Sequence, residues 1–546
     1  MPLIRGGPSV PQMPDGAPRT LGELAGFAAR NSAGRVALLT SEGRWTFSEV
    51  GRETLSTARA LTALGLAPGE RVAVLLPNGV PYFILYFAIP TAGGVAVPVN
   101  TFLAAPEVAT ILEDCDARIL ITTARRAAAL APRLKRMARL HTVIIVPGEE
   151  GVRDALPGHV RRVSWEELKE PDGRVELPPP PDPSGVAVLT YTSGTTGKMK
   201  GVMLSHDNLL SNARSALEAV KLRSRDRLLL FLPMFHSLTQ MVCLVTPRLA
   251  GLPVILLPGV DRPAIMAALR RFRPTIFVAV PAIYSAMSER SPGFFTRMMN
   301  PVRLYISGGS PLPADVLERF ERNWRRPLCE GYGLSEAAPV VSLNPVDGMR
   351  KAGSVGPAVP GVTVRVLCED GVEVPAGEVG ELVIEGPNVM LGYHGQEEET
   401  RAALKDGWLH TGDLARIDED GYIFIVGRKK EMLIFRGMNI YPREVEEVLA
   451  RHPAVSEAAV VGIEDPEKGE VPHAAVALGE GMSASGAELR KFCQERLARY
   501  KIPRTITVLP ALPKGATGKI LKDQVKEEII AARVATPRER RTPPDA

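Results

Sequence analysis

Short runs of β-branched and aliphatic residues recur along the first part of this 546-residue chain, spaced so that a helix fits between neighbours. Residues 71–76, 94–99, 120–122, 142–146 and 186–190 are such runs, and 82–89 between the first two is apolar all round. A strand buried on both faces needs helices above and below it, so this alternation predicts an α/β fold with parallel, doubly wound sheets. Trp45-Thr46-Phe47 reads as a further strand, with a helix opening at a Ser48 cap. Runs at 275–281 and 304–310 continue the cadence. A chain of this length is too long for one core and divides into domains.

Composition narrows the class. Hydrophobic residues make up 45% and charged residues 23%, as in ordinary globular enzymes. A net charge of +5 is too mild to indicate nucleic acid as a partner. The five cysteines, at 115, 243, 329, 368 and 493, form no CxxC pair, which predicts free thiols and a reducing, cytoplasmic setting. The eight histidines show no metal-ligand spacing, so no structural zinc is expected. Residues 78–100 carry no charge, yet Pro81, Pro90, Gly93, Gly94 and Pro98 argue against a membrane span. The Pro/Gly-rich residues 1–17 lack the apolar core and cleavage site of a signal peptide. The proline run at 178–183 reads as a linker.

The densest chemistry lies at 191–200, Tyr-Thr-Ser-Gly-Thr-Thr-Gly-Lys-Met-Lys, just after the 186–190 run. Four Ser/Thr hydroxyls, two glycines and two lysines in ten residues offer little to a core. They suit a phosphate: glycines let backbone N–H groups converge, hydroxyls add donors and lysine adds charge. Only two residues separate Gly194 from Gly197, and Met199 follows Lys198, so this is not a Walker P-loop.

This loop resembles the phosphate loop of the adenylate-forming (AMP-binding) superfamily, and the rest of the chain carries similar motifs in the family's order. Leu232-Pro-Met-Phe-His236 resembles the segment whose His lies beside the carboxylate being activated; Ser237 stands where most relatives have Gly. Gly308-Gly309 and Glu330-Gly-Tyr-Gly-Leu-Ser-Glu336 resemble the adenine shelf and the Tyr-Gly-x-Thr-Glu motif. That resemblance implies Tyr332 beside adenine, Ser335 on the α-phosphate, Glu336 on Mg²⁺, and Gly308 and Gly331 against the acyl group. Thr192, Ser193, Gly194, Thr195, Thr196, Gly197 and Lys198 would hold phosphates, with Glu330 and Gly309 in the nucleotide site. Thr411-Gly-Asp413 resembles the ribose-binding signature, with Asp413 accepting from both hydroxyls and Arg428 assisting. Lys430 takes the position of the domain hinge. Gly437 and Met438 would border the entry for CoA, and Pro513-Lys-x-x-x-Gly-Lys519 implies Lys519 as the catalytic lysine.

The overall likeness is closest to fatty acyl-CoA ligases. It implies a large N-terminal domain (21–429) of two doubly wound sheets plus a small barrel-like β subdomain near 353–393. A mobile α+β C-terminal domain (430–534) follows, and the ends, 1–20 and 535–546, are expected to be disordered. The implied reaction is ATP-dependent activation of a carboxylic acid to acyl-AMP with Mg²⁺, then thioester formation with CoA. The alternatives are an aromatic acid as substrate, or a carrier protein as acceptor. Peripheral membrane contact and a dimer are left open. Cations crowd 490–526, from Arg490 and Lys491 to Lys522 and Lys526, and read as a basic rim for CoA phosphates.

Overall fold

The computed structural model describes residues 16–148, 156–168, 175–193, 199–289, 291–435, 438–465, 469–514 and 520–535. Two compact units divide the chain. One takes Met1–Arg365, Val383–His410 and Glu419–Ile423; the other takes Val366–Leu382, Thr411–Asp418 and Phe424–Ala546. The second therefore reaches further back in sequence than a boundary at 429/430 suggests.

The first unit holds two eight-stranded sheets. One runs Val340–Leu343, Leu328–Gly333, Leu304–Ser307, Ile276–Ala279, Leu228–Leu230, Val254–Leu256, Val36–Leu39, Arg44–Thr46, parallel throughout except at its two edges. The other runs Gly392–Tyr393, Met199–Ser205, Val186–Ser193, Val95–Pro98, Arg71–Leu75, Ile119–Thr123, Thr142–Val146, Arg161–Ser164. From Val186–Ser193 onward it is parallel; the two strands before it are antiparallel additions. Side chains of both sheets and of the helix Val80–Thr91 join one continuous core. That helix is buried from Tyr82 to Pro90, which accounts for its lack of a polar face. Pro90 falls in its last turn, so the proline does not end it as the sequence suggests. Among the described residues no helix is long and apolar enough to cross a membrane. All five cysteines are free.

Helix starts follow side-chain caps. The helix Phe47–Ala63 is capped by Thr46, not Ser48, because Glu49 stands three residues on and returns a bond to the Thr46 N–H at 2.7 Å. Residues 16–20, expected to belong to a disordered end, include Thr20, which is buried and caps the helix Leu21–Asn31. That helix draws a second cap from far away: the Leu21 N–H donates to His206 Nδ1 at 3.2 Å.

His206 must be neutral to accept that bond, and burial, against weak opposition from Glu23 and Asp182, lowers its pKa from the ordinary 6.5 to about 4. Between those values the unfolded chain binds a proton that the folded chain refuses, so stability falls as pH drops through the window. The expected loss is about 3 kcal/mol from pH 7 to pH 4. Urea midpoints along the pH series check it, and His206→Asn, whose side-chain oxygen can still accept, should flatten the dependence.

The expected β subdomain is a five-stranded sheet of Thr363–Leu367, Gly380–Glu385, Trp408–Ile417, Leu404–Lys405 and Ile423–Arg428. Gly392–Tyr393, which the sequence reading assigned to it, pairs with Met199–Ser205 instead. In the second unit Met438–Ile440, Leu433–Phe435, Gly469–Leu478 and Val455–Asp465 form a sheet, with Ile506–Leu509 parallel to Gly469–Leu478. Helices Pro442–Ala450, Gly486–Gln494 and Lys522–Ala535 complete an α+β arrangement.

Candidate active site

Ligands of open α/β sheets lie beyond the carboxyl ends of parallel strands, where loops are free to vary. Among the described residues, His236, Gly308 and Gly309 follow such ends. Val186–Ser193 and Met199–Ser205 form a hairpin with Ser193 opposite Met199 and Thr192 opposite Lys200. Thr192 is half-buried at its tip. Gly194, Thr195, Thr196, Gly197 and Lys198 lie outside the described residues.

In the neighbouring sheet, the segment after Leu228–Leu230 brings His236 next to Phe235, ring centroids 4.6 Å apart. Directly after it, Ser237 Oγ lies 3.2 Å from Ser335 Oγ. Gly308, past the end of Leu304–Ser307, is covered by Leu238: a Cβ at Gly308 would sit 3.3 Å from Leu238 Cδ2 and 3.8 Å from the Gly331 carbonyl. His236, Gly308, Gly331 and Ser335 are thereby gathered near the ends of three strands of one sheet, and Gly309 makes the turn with φ +86°. A side chain there would press on the tip of Leu238, which would have to give by a few tenths of an ångström. Tyr332 is half-buried on that strand. Glu330, expected among the nucleotide contacts, turns inward: it is 2% exposed, and Oε1 accepts from the Leu312 N–H at 2.8 Å.

Glu336 is half-buried, and its Oε1 accepts from the Tyr393 hydroxyl at 3.0 Å. Among the described residues nothing donates to Oε2. Mg²⁺ takes one or two carboxylates and completes its shell with phosphate and water, so a single hard oxygen here fits that ion. No group of three or more His, Cys, Asp or Glu side chains among the described residues could hold a metal by itself.

In the second unit, Asp413 is 7% exposed and has Arg428 Nε at 3.3 Å from Oδ1, so the two expected ribose residues do meet. The Thr411 hydroxyl accepts from the Asp413 N–H, and Glu381 accepts from the Gly412 N–H and pairs with Lys429 at 3.0 Å. Lys430 has its pKa lowered by burial and by the Arg428 charge. Met438 opens a strand opposite Phe435. Gly437 and Lys519 lie outside the described residues.

Five cations of the expected basic rim have carboxylate partners. Lys501 pairs with Glu444 at 2.7 Å, Arg504 with Asp465, Lys514 with Glu457 and Arg496 with Glu495. Lys522 pairs with both Glu431 and Glu446, at 2.7 and 2.9 Å. Burial opposes the Lys522 charge, yet the two carboxylates outweigh it and raise its pKa.

Sequence reasoning missed Ser237, Leu238, Lys200 and Tyr393. Ser237 and Leu238 were visible only as a departure from the family's glycine. Tyr393 carried no signal, since its partner lies 57 residues away.

The chain is similar to known proteins over most of its length. Residues 26–394 match the AMP-binding enzyme family, and residues 444–519 match the AMP-binding enzyme C-terminal domain. A feruloyl-CoA synthase of an Amycolatopsis species is 39% identical over 88% of this chain and 93% of its own. A long-chain-fatty-acid–CoA ligase of Bacillus subtilis (strain 168) is 34% identical over 93% and 94%. The o-succinylbenzoate coenzyme A synthetase of Bacillus subtilis, solved with ATP and magnesium, superposes with a TM-score of 0.80 at 31% identity over 92% and 99%. With its loops at the carboxyl ends of two parallel sheets and both family domains matched in order, the chain belongs to the AMP-binding enzymes, the adenylate-forming acid–CoA ligases.

Proposed function

We propose that the protein activates a carboxylic acid with ATP to acyl-AMP, releasing pyrophosphate, and then passes the acyl group to CoA. The observation that supports it most is the gathering of His236, Gly308, Gly331 and Ser335 near the ends of three strands of one sheet, with Glu336 one residue past Ser335. The acid attacks already ionised, so no general base is needed. The difficulty is that two anions, carboxylate and α-phosphate, must meet.

Hydroxyls and backbone donors of residues 192–198 and the hydroxyl of Ser335 take up phosphate charge, and Lys519 adds a cation. Mg²⁺, when bound, lends further charge to the phosphates, and Glu336 would hold it. Asp413 and Arg428 fix the ribose. His236 stands beside the acid; it offers no counter-ion to an α-ammonium group, which disfavours amino acids. In the second half, the small domain turns at Lys430 and CoA enters by Gly437 and Met438.

A fatty acid is the proposed substrate. An aromatic acid is the second reading, favoured by the feruloyl-CoA synthase relative and by the Phe102–Phe235–His236 ring series, with centroids 5.8 and 4.6 Å apart. Five free cysteines suit a reducing, cytoplasmic setting. Pyrophosphate release across straight-chain and cinnamic-type acids, with and without free CoA, tests the whole. ATP consumption with one class, and thioester only with CoA, is expected; no ATP consumption with any acid overturns it.

A further inference from the structure

The segment that carries Tyr393 joins two parts of the first unit that the reaction uses together. Its backbone is pinned on one side to the strand leaving the phosphate loop: Leu391 donates to the Met203 carbonyl at 3.0 Å and His394 to the Gly201 carbonyl at 2.7 Å. On the other side Met390 donates to the Glu336 carbonyl and the Asn388 amide to the Ala337 carbonyl, both at 2.8 Å. These bonds place Tyr393 without any help from its hydroxyl. The hydroxyl is spent on one atom only, Glu336 Oε1.

Lys200 completes the set. It lies opposite Thr192 in the hairpin, its ammonium sits 4.8 Å from the centroid of the Tyr393 ring, and it pairs with Glu399. The side chain is 12% exposed, so it packs on the ring instead of waving in solvent. A contact path therefore runs from Thr192 through Lys200 and Tyr393 to Glu336.

We propose that Tyr393 is a positioning residue for adenylation: its hydroxyl engages one oxygen of Glu336 and fixes that carboxylate so that the other oxygen is the one offered to the metal. The inference rests on the reading of Glu336 as the metal ligand. A carboxylate left to itself rotates and divides its basicity between two equal oxygens. A donor on one of them selects a single rotamer and leaves the second as the ligand, in the manner of residues that orient metal ligands elsewhere.

The test is calorimetric binding of MgATP, and of ATP in EDTA, to the full chain without acid. Tyr393→Phe keeps the ring under Lys200 and every backbone bond. It should weaken MgATP about 10- to 100-fold and leave metal-free ATP unchanged. Equal weakening of both forms means that the residue only shapes the nucleotide site, and no weakening of either means that the bond does nothing; both results overturn the proposal. Glu336→Gln separates this from the parent reading. If Glu336→Gln leaves MgATP binding unchanged, the metal role of Glu336 fails. If it weakens MgATP while Tyr393→Phe does not, positioning alone fails. Combined in one chain, the two changes should cost no more than Glu336→Gln alone; additive losses overturn the coupling.

Discussion

Changing Lys519 to alanine is expected to lower acid-dependent pyrophosphate exchange about 100- to 1000-fold, the usual cost of removing one positioned charge stabiliser. CoA-dependent consumption of supplied acyl-AMP should stay near the parent rate. The asymmetry follows from charge. Adenylation brings a carboxylate against a phosphate, and two unit charges 4 Å apart repel by about 4 kcal/mol in a partly screened site. Displacement of AMP by a thiol has no such encounter to relieve. The ends of the lysine-bearing loop are held, since Lys514 and Ile520 form a β-bridge, so alanine removes a charge without freeing a strand. Equal loss in both half-reactions would defeat a role confined to the first.

The second large effect concerns stability. Asp226 is 2% exposed and accepts four bonds: from Arg303 Nε at 2.8 Å and Nη2 at 2.5 Å, the Thr275 hydroxyl at 2.8 Å and the Arg223 N–H at 2.7 Å. Asp226→Ala leaves the Arg303 guanidinium, 19% exposed, without its carboxylate, and should cost about 3–5 kcal/mol in urea unfolding. A comparable change at Asp347, whose ion pair with Lys221 is 60–66% exposed, should cost under about 1 kcal/mol. Burial raises the Asp226 pKa, but the Arg303, Arg223 and Thr275 bonds outweigh it and hold it below the ordinary 3.8. The ionised form is thus favoured in the folded chain. Its contribution is complete above the unfolded value and disappears as pH falls through the folded one. A loss from Asp226→Ala as small as that at Asp347 would show the cluster to be ornamental.

What the sequence disclosed and what it hid divide by distance along the chain. The parallel strands were legible because each is a local apolar run, and the loops at their ends because Gly, Ser and Thr cluster there. Helix starts were legible in principle: Thr46 with Glu49 and Ser205 with Asn208 each satisfy the three-residue capping spacing, and the helix His206–Val220 accordingly begins directly after Ser205. The basic stretch at 490–526 misled because the carboxylates facing it, Glu431, Glu444, Glu446, Glu457 and Asp465, precede it by dozens of residues. Within its own window the charge looked uncompensated. The Tyr393–Glu336 bond was hidden for the same reason, and Gly392–Tyr393 was assigned to the wrong sheet because two residues carry no register of their own.

Lys522 stands three residues after Lys519 and is clasped by carboxylates from the 429–431 turn and from the helix Pro442–Ala450. A cation gripped from two directions behaves as a rivet. Torque applied at the turn therefore reaches the start of the helix Lys522–Ala535 without slack, and turn and helix move as one frame.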